Sequence, residues 1–165
     1  MDKNLLCEFY DRYRRELYLY IFSLCRNHEL SEDILQETFL KAILSLPSQH
    51  TNVRAWLYLV ARNLCFNFLK KEKHRTDMDA LENASAEEVD VIEKIIDREE
   101  KRTLYKALQN LESRKREVLI LQYFSGLRQK EIASVLHLTA ENVRVLGYRG
   151  KREIKKYMEE RGYDI

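Results

Sequence analysis

Aromatic and basic side chains are mixed between Val53 and Lys73 in a way that suits nucleic acid. Trp56, Tyr58, Phe66 and Phe68 stand beside Arg54, Arg62, Lys70, Lys71 and Lys73. Single-stranded nucleic acid is held by rings that stack on bases and by cations that follow the phosphates. Aromatic residues at helical spacing also build protein cores, so we expect Phe68 and Trp56 to be at least partly buried. This segment predicts a surface for unpaired bases.

A second pattern, from Gln129 to Leu146, has the spacing of a helix-turn-helix. Ala133 is the small residue where two helices cross, His137 stands where positive φ is common, and Thr139 is a candidate N-cap. The apolar positions for a trihelical core are Ile132, Leu136, Leu138, Val143 and Leu146. The residues predicted to contact duplex DNA are Thr139, Glu141, Asn142, Arg144, Tyr148, Arg149, Lys151 and Arg152.

Within this set the side chains differ in the contact that they suit. A recognition helix places its N-terminal residues near base edges, so Asn142 and Arg144 are the candidates for base contact. Cations further along the helix suit phosphates, and these are Arg149, Lys151, Arg152 and Lys155. The same pattern also fits a helical hairpin inside a larger bundle with solvated charges.

Catalytic and metal-binding patterns are not found in the sequence. The four histidines are isolated, and Cys7, Cys25 and Cys65 form neither a CxxC pair nor an even disulfide set. There is no Gly-rich phosphate loop and no nucleophile elbow. We therefore predict no catalytic residues, no metal site, no cofactor and no enzymatic activity. The unpaired cysteines favour a reducing, cytoplasmic location.

The elements that position these side chains are predicted to be helices. One Pro, four Gly and abundant Leu, Glu, Lys and Arg favour helices over hairpins. In the first half, apolar stripes predict helices over residues 5–27, from an N-cap at Ser31 to Pro47, and over residues 53–73. In the second half, they predict a short helix after Asp97, one capped by Ser113 and closed near Gly126, and helices over residues 129–136 and 140–160. The fold class is all-α.

Charge divides the chain into three parts. Residues 1–76 carry 12 Lys/Arg and 9 Asp/Glu, residues 77–100 carry 2 and 10, and residues 101–165 carry 15 and 8. The nets of +3, −8 and +7 favour two polyanion-binding modules and a repelling spacer, although charge blocks also occur on solvated faces. We expect two small helical domains, residues 1–75 and 98–165, joined by an acidic flexible linker over residues 76–97. No apolar run is long enough for membrane insertion.

Both halves resemble the extracytoplasmic-function (ECF) sigma factors of bacterial RNA polymerase. Residues 31–42, SEDILQETFLKA, look like the polymerase-binding motif of region 2, and residues 53–64 are similar to the stretch that recognises the −10 element. Residues 111–127 resemble region 4.1, and the helix-turn-helix resembles region 4.2. Two motifs in the right order and at the right separation are more specific than a helix-turn-helix alone.

The resemblance implies partners and a role for each surface. Core RNA polymerase would bind Asp33, Gln36, Glu37, Phe39 and Leu40 through its β′ clamp helices, and the first three of these residues share one helix face. The β flap of the polymerase would be a further contact. The −10 element would be melted by Asn52, Arg54, Trp56, Tyr58, Arg62, Asn63, Lys70 and Lys71, with a flipped base captured in the loop before the helix. The −35 element would be read by the recognition helix. An anti-sigma factor would be a further partner.

Two glycines depart from the family pattern. Gly147 and Gly150 replace Leu and Ala in the recognition helix, and Gly in a helix costs about 1 kcal/mol relative to Ala. We expect a gap at Gly147 and a helix that frays or bends there. The main alternative function is a stand-alone helix-turn-helix regulator that binds paired half-sites as a dimer. A helical adaptor is a third possibility, which the basic second half disfavours.

Overall fold

The computed structural model describes residues 3–45, 52–73, 95, 96 and 98–163. Among these residues there are seven helices with defined bounds and no β-strand, so the predicted all-α class is confirmed. The chain divides into two compact units, Met1–Val91 and Ile92–Ile165. The predicted linker, residues 76–97, lies outside the described residues except for Ile95 and Ile96, and Pro47 also lies outside them.

Three long helices form the first unit: α1 (Lys3–Cys25), α2 (His28–Ser45) and α3 (Val53–Lys73). Each helix packs against the other two. The core is built from the apolar stripes of all three, with Leu17, Tyr20 and Ile21 from α1, Ile34 from α2, and Leu57 and Tyr58 from α3 each at most 1% exposed. Because the stripe of each helix faces the other two, the opposite faces of α2 and α3 remain on the surface.

The start of α2 differs from the sequence prediction. Arg26 has φ +53 and ends α1, and the side chain of Asn27 then accepts a hydrogen bond from Leu30 N at 3.0 Å. Ser31 is buried inside the helix and donates to the Asn27 carbonyl at 2.7 Å. The predicted N-cap at Ser31 is wrong because Asn27 offers the same capping chemistry one turn earlier.

Four helices form the second unit: α4 (Glu99–Leu108), α5 (Ser113–Tyr123), α6 (Gln129–Leu136) and α7 (Ala140–Glu160). Its fully buried core includes Tyr105, Leu108, Val118 and Ile132. Ser113 is the first residue of α5 and not its cap, since the carboxylate of Glu112 accepts from Arg114 N at 3.3 Å. Gly126 has φ +66 in the turn after α5, a conformation that glycine adopts without strain.

The turn between α6 and α7 has the predicted geometry. His137 is left-handed at φ 56, ψ 43, where its amide bonds to the Ala133 carbonyl. Thr139 accepts a hydrogen bond from Asn142 N at 3.1 Å and caps α7. Ala133 and Val143 are buried where the two helices meet. The helix-turn-helix prediction is confirmed down to its cap.

The two recognition-helix glycines do not disturb α7. The helix runs without interruption from Ala140 to Glu160, and both glycines are buried against α5. A Cβ at Gly147 would lie 3.6 Å from Val118 Cγ1, and a Cβ at Gly150 would lie 2.9 Å from Leu119 Cδ1. The expected fraying at Gly147 is therefore wrong, and a Cβ there would already be in ordinary van der Waals contact with α5, whereas at Gly150 the close approach of α5 takes the place of a side chain.

Candidate nucleic-acid and partner-binding surfaces

An apolar groove of about 400 Å³ lies between α1 and α2, referred to below as the α1–α2 groove. Its walls carry three of the predicted partner-binding residues, Gln36, Phe39 and Leu40. The other lining residues were not predicted from sequence: Leu6, Cys7, Tyr10, Asp11 and Ile43. Of these, Ile43 could have been found from the sequence, because it follows Leu40 by three residues and so shares its side of α2. Ile43 and its neighbour Leu44 leave 45% and 76% of their surface exposed.

Polar side chains border this groove along α2. Asp33 and Gln36 are exposed and Glu37 is half-buried, which matches the shared face expected from their spacing. Leu40 is 54% exposed, whereas Phe39 is only 5% exposed and sets its ring edge-on against Tyr10 at 5.0 Å. The predicted role of Phe39 is corrected: it forms the floor of the groove, because its ring fills the space between α1 and α2.

Two residues predicted to contact DNA from α3 are turned toward the protein. Tyr58 is fully buried and packs on Tyr20 with the ring centroids 5.4 Å apart. Arg54 donates to both oxygens of Glu16 on α1, at 3.1 and 3.4 Å. The prediction for Tyr58 is wrong because the residue falls on the core stripe of α3. Arg54, through its hydrogen bonds to Glu16, links α3 to α1.

Burial gives the Glu16–Arg54 pair unusual electrostatics. The Glu16 side chain is 21% exposed and that of Arg54 is 29% exposed. Loss of water raises the pKa of the Glu16 carboxyl above its ordinary value of 4.5, although Arg54 and Tyr58 beside it pull the pKa down. Arg54 also lies over the ring of Tyr13 at 5.8 Å. The surroundings of the ion pair are therefore built from both α1, which carries Glu16 and Tyr13, and α3, which carries Arg54 and Tyr58.

The solvent-facing side of α3 keeps a continuous basic and aromatic strip, called the α3 stripe: Arg62, Asn63, Phe66, Lys70 and Lys71. Arg62 is half-buried and the other four are exposed. The Arg62 guanidinium lies 4.5 Å from the centre of the Phe66 ring. Phe66, one of the aromatic residues of the predicted nucleic-acid segment, is on the surface, four residues from both Arg62 and Lys70. Trp56 and Phe68 are half-buried, as expected.

The first turn of α3 fixes Asn52. Its side-chain oxygen accepts from Ala55 N at 3.1 Å, and its carbonyl accepts from Trp56 N at 3.2 Å. Asn52 is thus the N-cap of α3 in addition to being a predicted base contact. The loop residues 48–51, predicted to hold a flipped base with it, lie outside the described residues.

On α7, the predicted DNA-binding side chains are all on the surface. Thr139, Glu141, Asn142, Arg144, Tyr148, Arg149, Lys151 and Arg152 are exposed. They form one polar face, since Val143, Gly147, Gly150 and Ile154 bury the opposite side. A helix capped at Thr139 with this much unobstructed surface has the form required for insertion into a major groove.

Several of these side chains are already paired with neighbours on the surface. Arg144 donates to Glu141, which lowers the pKa of that carboxyl and raises the pKa of the guanidinium. Arg152 lies over Tyr148 at 5.9 Å, and Lys151 lies over Tyr123 of α5 at 5.5 Å. The pairs are exposed to water and can exchange partners at small cost.

In the part of the chain that the structure describes, none of the helices has both the length and the hydropathy to cross a membrane.

The two units match separate protein families. Residues 9–75 match Sigma-70 region 2, and residues 101–154 match Sigma-70, region 4.

Similar proteins share both regions. RNA polymerase sigma factor YlaC of Bacillus subtilis (strain 168) is 31% identical, with 92% of this chain and 90% of YlaC covered. ECF RNA polymerase sigma factor SigM of the same organism is 28% identical, with 90% of this chain and 91% of SigM covered.

Two solved structures share the fold. CnrH, in complex with the cytosolic domain of CnrY, has a TM-score of 0.68 at 19% identity, with 96% of this chain and 90% of CnrH covered. RpoE of Bartonella quintana, in complex with the anti-sigma factor NepR, has a TM-score of 0.66 at 18% identity, with 92% and 97% covered. The two family matches and the sigma-factor relatives show that the chain belongs to the sigma-70 family of RNA polymerase sigma factors, in its extracytoplasmic-function group, and acts in transcription initiation.

Proposed function

We propose that the first unit docks on core RNA polymerase through the α1–α2 groove and the polar residues beside it. Asp33, Gln36 and Glu37 provide an acidic rim, and Leu40 provides exposed apolar area at its edge. An apolar centre with a polar rim is the usual anatomy of a protein interface. The β′ clamp helices are the partner for this surface, and the second unit meets the β flap.

The −10 element is melted along α3 in this proposal. The α3 stripe supplies cations for the phosphates and Phe66 for stacking, and Asn52 and Trp56 stand at the end where a flipped base is captured. Base capture would use Nδ2 of Asn52, since its side-chain oxygen and its carbonyl accept the first hydrogen bonds of α3. Tyr58 has no part in the contact.

The −35 element is read by α7 in the duplex. Asn142 and Arg144 lie in the first turns, where side chains reach base edges, and Arg149, Lys151 and Arg152 lie further along, where they reach phosphates. Thr139, Glu141 and Tyr148 border the same face. The observation that carries the whole proposal is that one chain holds a capped, unobstructed recognition helix and a separate aromatic and basic helix with a docking groove behind it.

An anti-sigma factor is proposed as the regulator. Both solved neighbours were determined in complex with a second protein: CnrH with CnrY, and RpoE with an anti-sigma factor. An apolar groove that must stay open for polymerase is a natural target for such a partner. We also place the protein in the cytoplasm, where polymerase acts, with a domain boundary on each side of residues 76–97.

The direct test mixes the purified chain with core polymerase and a library of genomic promoter fragments, and maps the transcription starts. We expect starts at fragments that share a −35 and a −10 element at fixed spacing, and no such starts with core polymerase alone. Starts that do not depend on the chain would overturn the proposal. A Leu40→Asp variant, altered at the groove edge, is expected to lose the starts while retaining its fold.

A further inference from the structure

A basic groove of about 310 Å³ lies between α5 and α7 and includes Arg149 and Arg152 from the polar face of α7. Lys115 lines it from α5, and Arg149, Arg152, Glu153 and Lys156 line it from α7. Four of the five lining residues are therefore cationic. Neither Lys115 nor Lys156 belongs to any surface described above.

The groove exists because the two helices approach closely. Gly150 is buried, and a Cβ there would lie 2.9 Å from Leu119 Cδ1 and 3.6 Å from Lys115 Cβ. This spacing brings a lysine of α5 beside the cationic side of α7. Lys115 Nζ donates to Glu153 Oε1 at 2.6 Å, with the two side chains 20% and 49% exposed. Glu153 thus holds Lys115 in the groove and offsets one of its positive charges.

We propose that this groove binds a backbone phosphate of the promoter duplex next to the base pairs read by α7, with Lys115 and Lys156 as contacts. The inference rests on the proposed −35 function. Arg149, Arg152 and Lys156 follow each other by three and four residues, so they line one side of α7. Arg149 lies about 10 Å along the helix from Asn142, so DNA that reaches Asn142 also passes close to this side.

The carboxylate in the groove has a defined part in this proposal. In the free protein the ammonium group of Lys115 is paired with Glu153, and a phosphate that enters the groove replaces Glu153 as its partner. Exchange is easy because half of the Glu153 side chain is exposed and surface pairs are weak. A carboxylate beside a bound phosphate weakens binding, so its charge limits the affinity of the site.

The test is the salt dependence of promoter binding by holoenzyme. Each phosphate contact contributes about 0.9 to the slope of log affinity against log salt concentration, about a threefold change in affinity over a fourfold change in salt. We expect the Lys115→Ala/Lys156→Ala variant to bind more weakly with a shallower slope, by the same factor on promoters with intact and altered −35 sequences. The matched control, Lys101→Ala/Lys106→Ala, removes two charges from α4 and should retain the slope. Equal slopes for the two double variants would overturn the proposal.

The Glu153→Gln variant gives a prediction of opposite sign. It frees Lys115 without changing the shape of the side chain, so promoter binding should become tighter and its salt slope no shallower. Unchanged or weaker promoter binding would overturn the proposal, as would a loss of core polymerase affinity with DNA binding intact, which would assign the groove to an acidic protein surface. If the wild-type holoenzyme binds no promoter, the proposed function fails; if it does and these variants have no effect, the groove alone fails.

Discussion

Arg54 and Arg144 are each paired with a glutamate, yet their surroundings give them different roles. The side chains of Arg54 and Glu16 are 29% and 21% exposed, and those of Arg144 and Glu141 are 59% and 68% exposed. Water screens the second pair, so Arg144 can leave Glu141 for a base edge. Separating the first pair would leave a charge in a half-buried site, which is strongly unfavourable. The same residue type is therefore structural on α3 and available for recognition on α7.

Glu16 predicts a specific dependence of stability on pH. Its folded-state pKa is raised above 4.5 by burial, so the folded protein holds this proton more tightly than the unfolded chain does. The stability that Glu16 contributes is then fully present below the ordinary pKa and is lost as the pH rises through the raised one. We expect the free energy of unfolding of wild type, minus that of Glu16→Gln, to fall from acid to neutral pH in denaturant titrations. A difference that grows with pH would mean that Arg54 outweighs burial.

Arg144 predicts a loss of sequence preference. Arg144→Ala should cost about 1–3 kcal/mol on the preferred −35 sequence and much less where the contacted base pair is changed. Lys151→Ala is the comparison, because a phosphate contact should weaken binding by the same factor on all sequences. The measurement is holoenzyme affinity for a set of single-substitution promoters. A uniform loss for Arg144→Ala would reassign its contact to phosphate.

At the scale of elements, the packing of α5 on α7 decides how the recognition helix is held. Gly147 and Gly150 lie one turn apart on the buried side of α7, but their surroundings differ. A Cβ at Gly147 finds neighbours at 3.6 Å, an ordinary contact, whereas one at Gly150 meets the buried Leu119 at 2.9 and 3.3 Å. Only the second glycine is required for the approach of the helices.

The two glycines therefore predict opposite effects on stability. Gly147→Ala should stabilise the protein by about 0.5–1 kcal/mol, since Ala is the better helix former and fits the space. Gly150→Ala gains the same propensity but forces Leu119 aside, and overpacking costs about 1–3 kcal/mol, so we expect a net loss. Chemical denaturation compares the two variants directly. Equal stabilisation by both would show that Leu119 yields without cost.

Phe39 and Leu40, adjacent on α2, separate folding from docking. Phe39→Ala should destabilise the first unit by about 3–5 kcal/mol, because its ring fills the space beside Tyr10. Leu40→Ala should leave stability within about 0.5 kcal/mol and weaken core polymerase binding by about 1 kcal/mol or more. Thermal unfolding and a polymerase pull-down titration measure the two effects. Unchanged polymerase affinity in Leu40→Ala would contradict docking at the groove edge.

The sequence predicted elements more reliably than it predicted which side of an element faces outward. The predicted bounds of α3, α6 and α7 agree with those of the structure, because the apolar periodicity of these helices is regular and Thr139 is a strong cap for α7. Tyr58 was misplaced because Tyr suits both a core and a DNA surface, and composition cannot say which side of α3 packs on α1. Glu16, as the partner of Arg54, is 38 residues away in sequence and was found only from the fold. The close contact of Gly150 with Leu119 was found only from the fold for the same reason, because Leu119 lies on another helix.

At the scale of the whole molecule, two modest DNA-binding surfaces belong to one chain. The first 76 residues carry a net charge of +3 and the last 65 carry +7, with −8 over the 24 residues between them. Such charges give weak, salt-sensitive binding when each unit acts alone. Held on one polymerase, the second contact becomes intramolecular and the combined affinity rises by orders of magnitude. We therefore expect promoter recognition to be a property of the assembly and not of the free chain.

The measurement that tests this claim most directly is the affinity of the purified chain for one mapped promoter, with and without core RNA polymerase. We predict binding that is tight and sequence-specific in the presence of core polymerase, and at least about 100-fold weaker and nearly non-specific in its absence. Tight binding of the chain alone, as a dimer on paired half-sites and unaffected by core polymerase, would contradict the account and identify a stand-alone regulator.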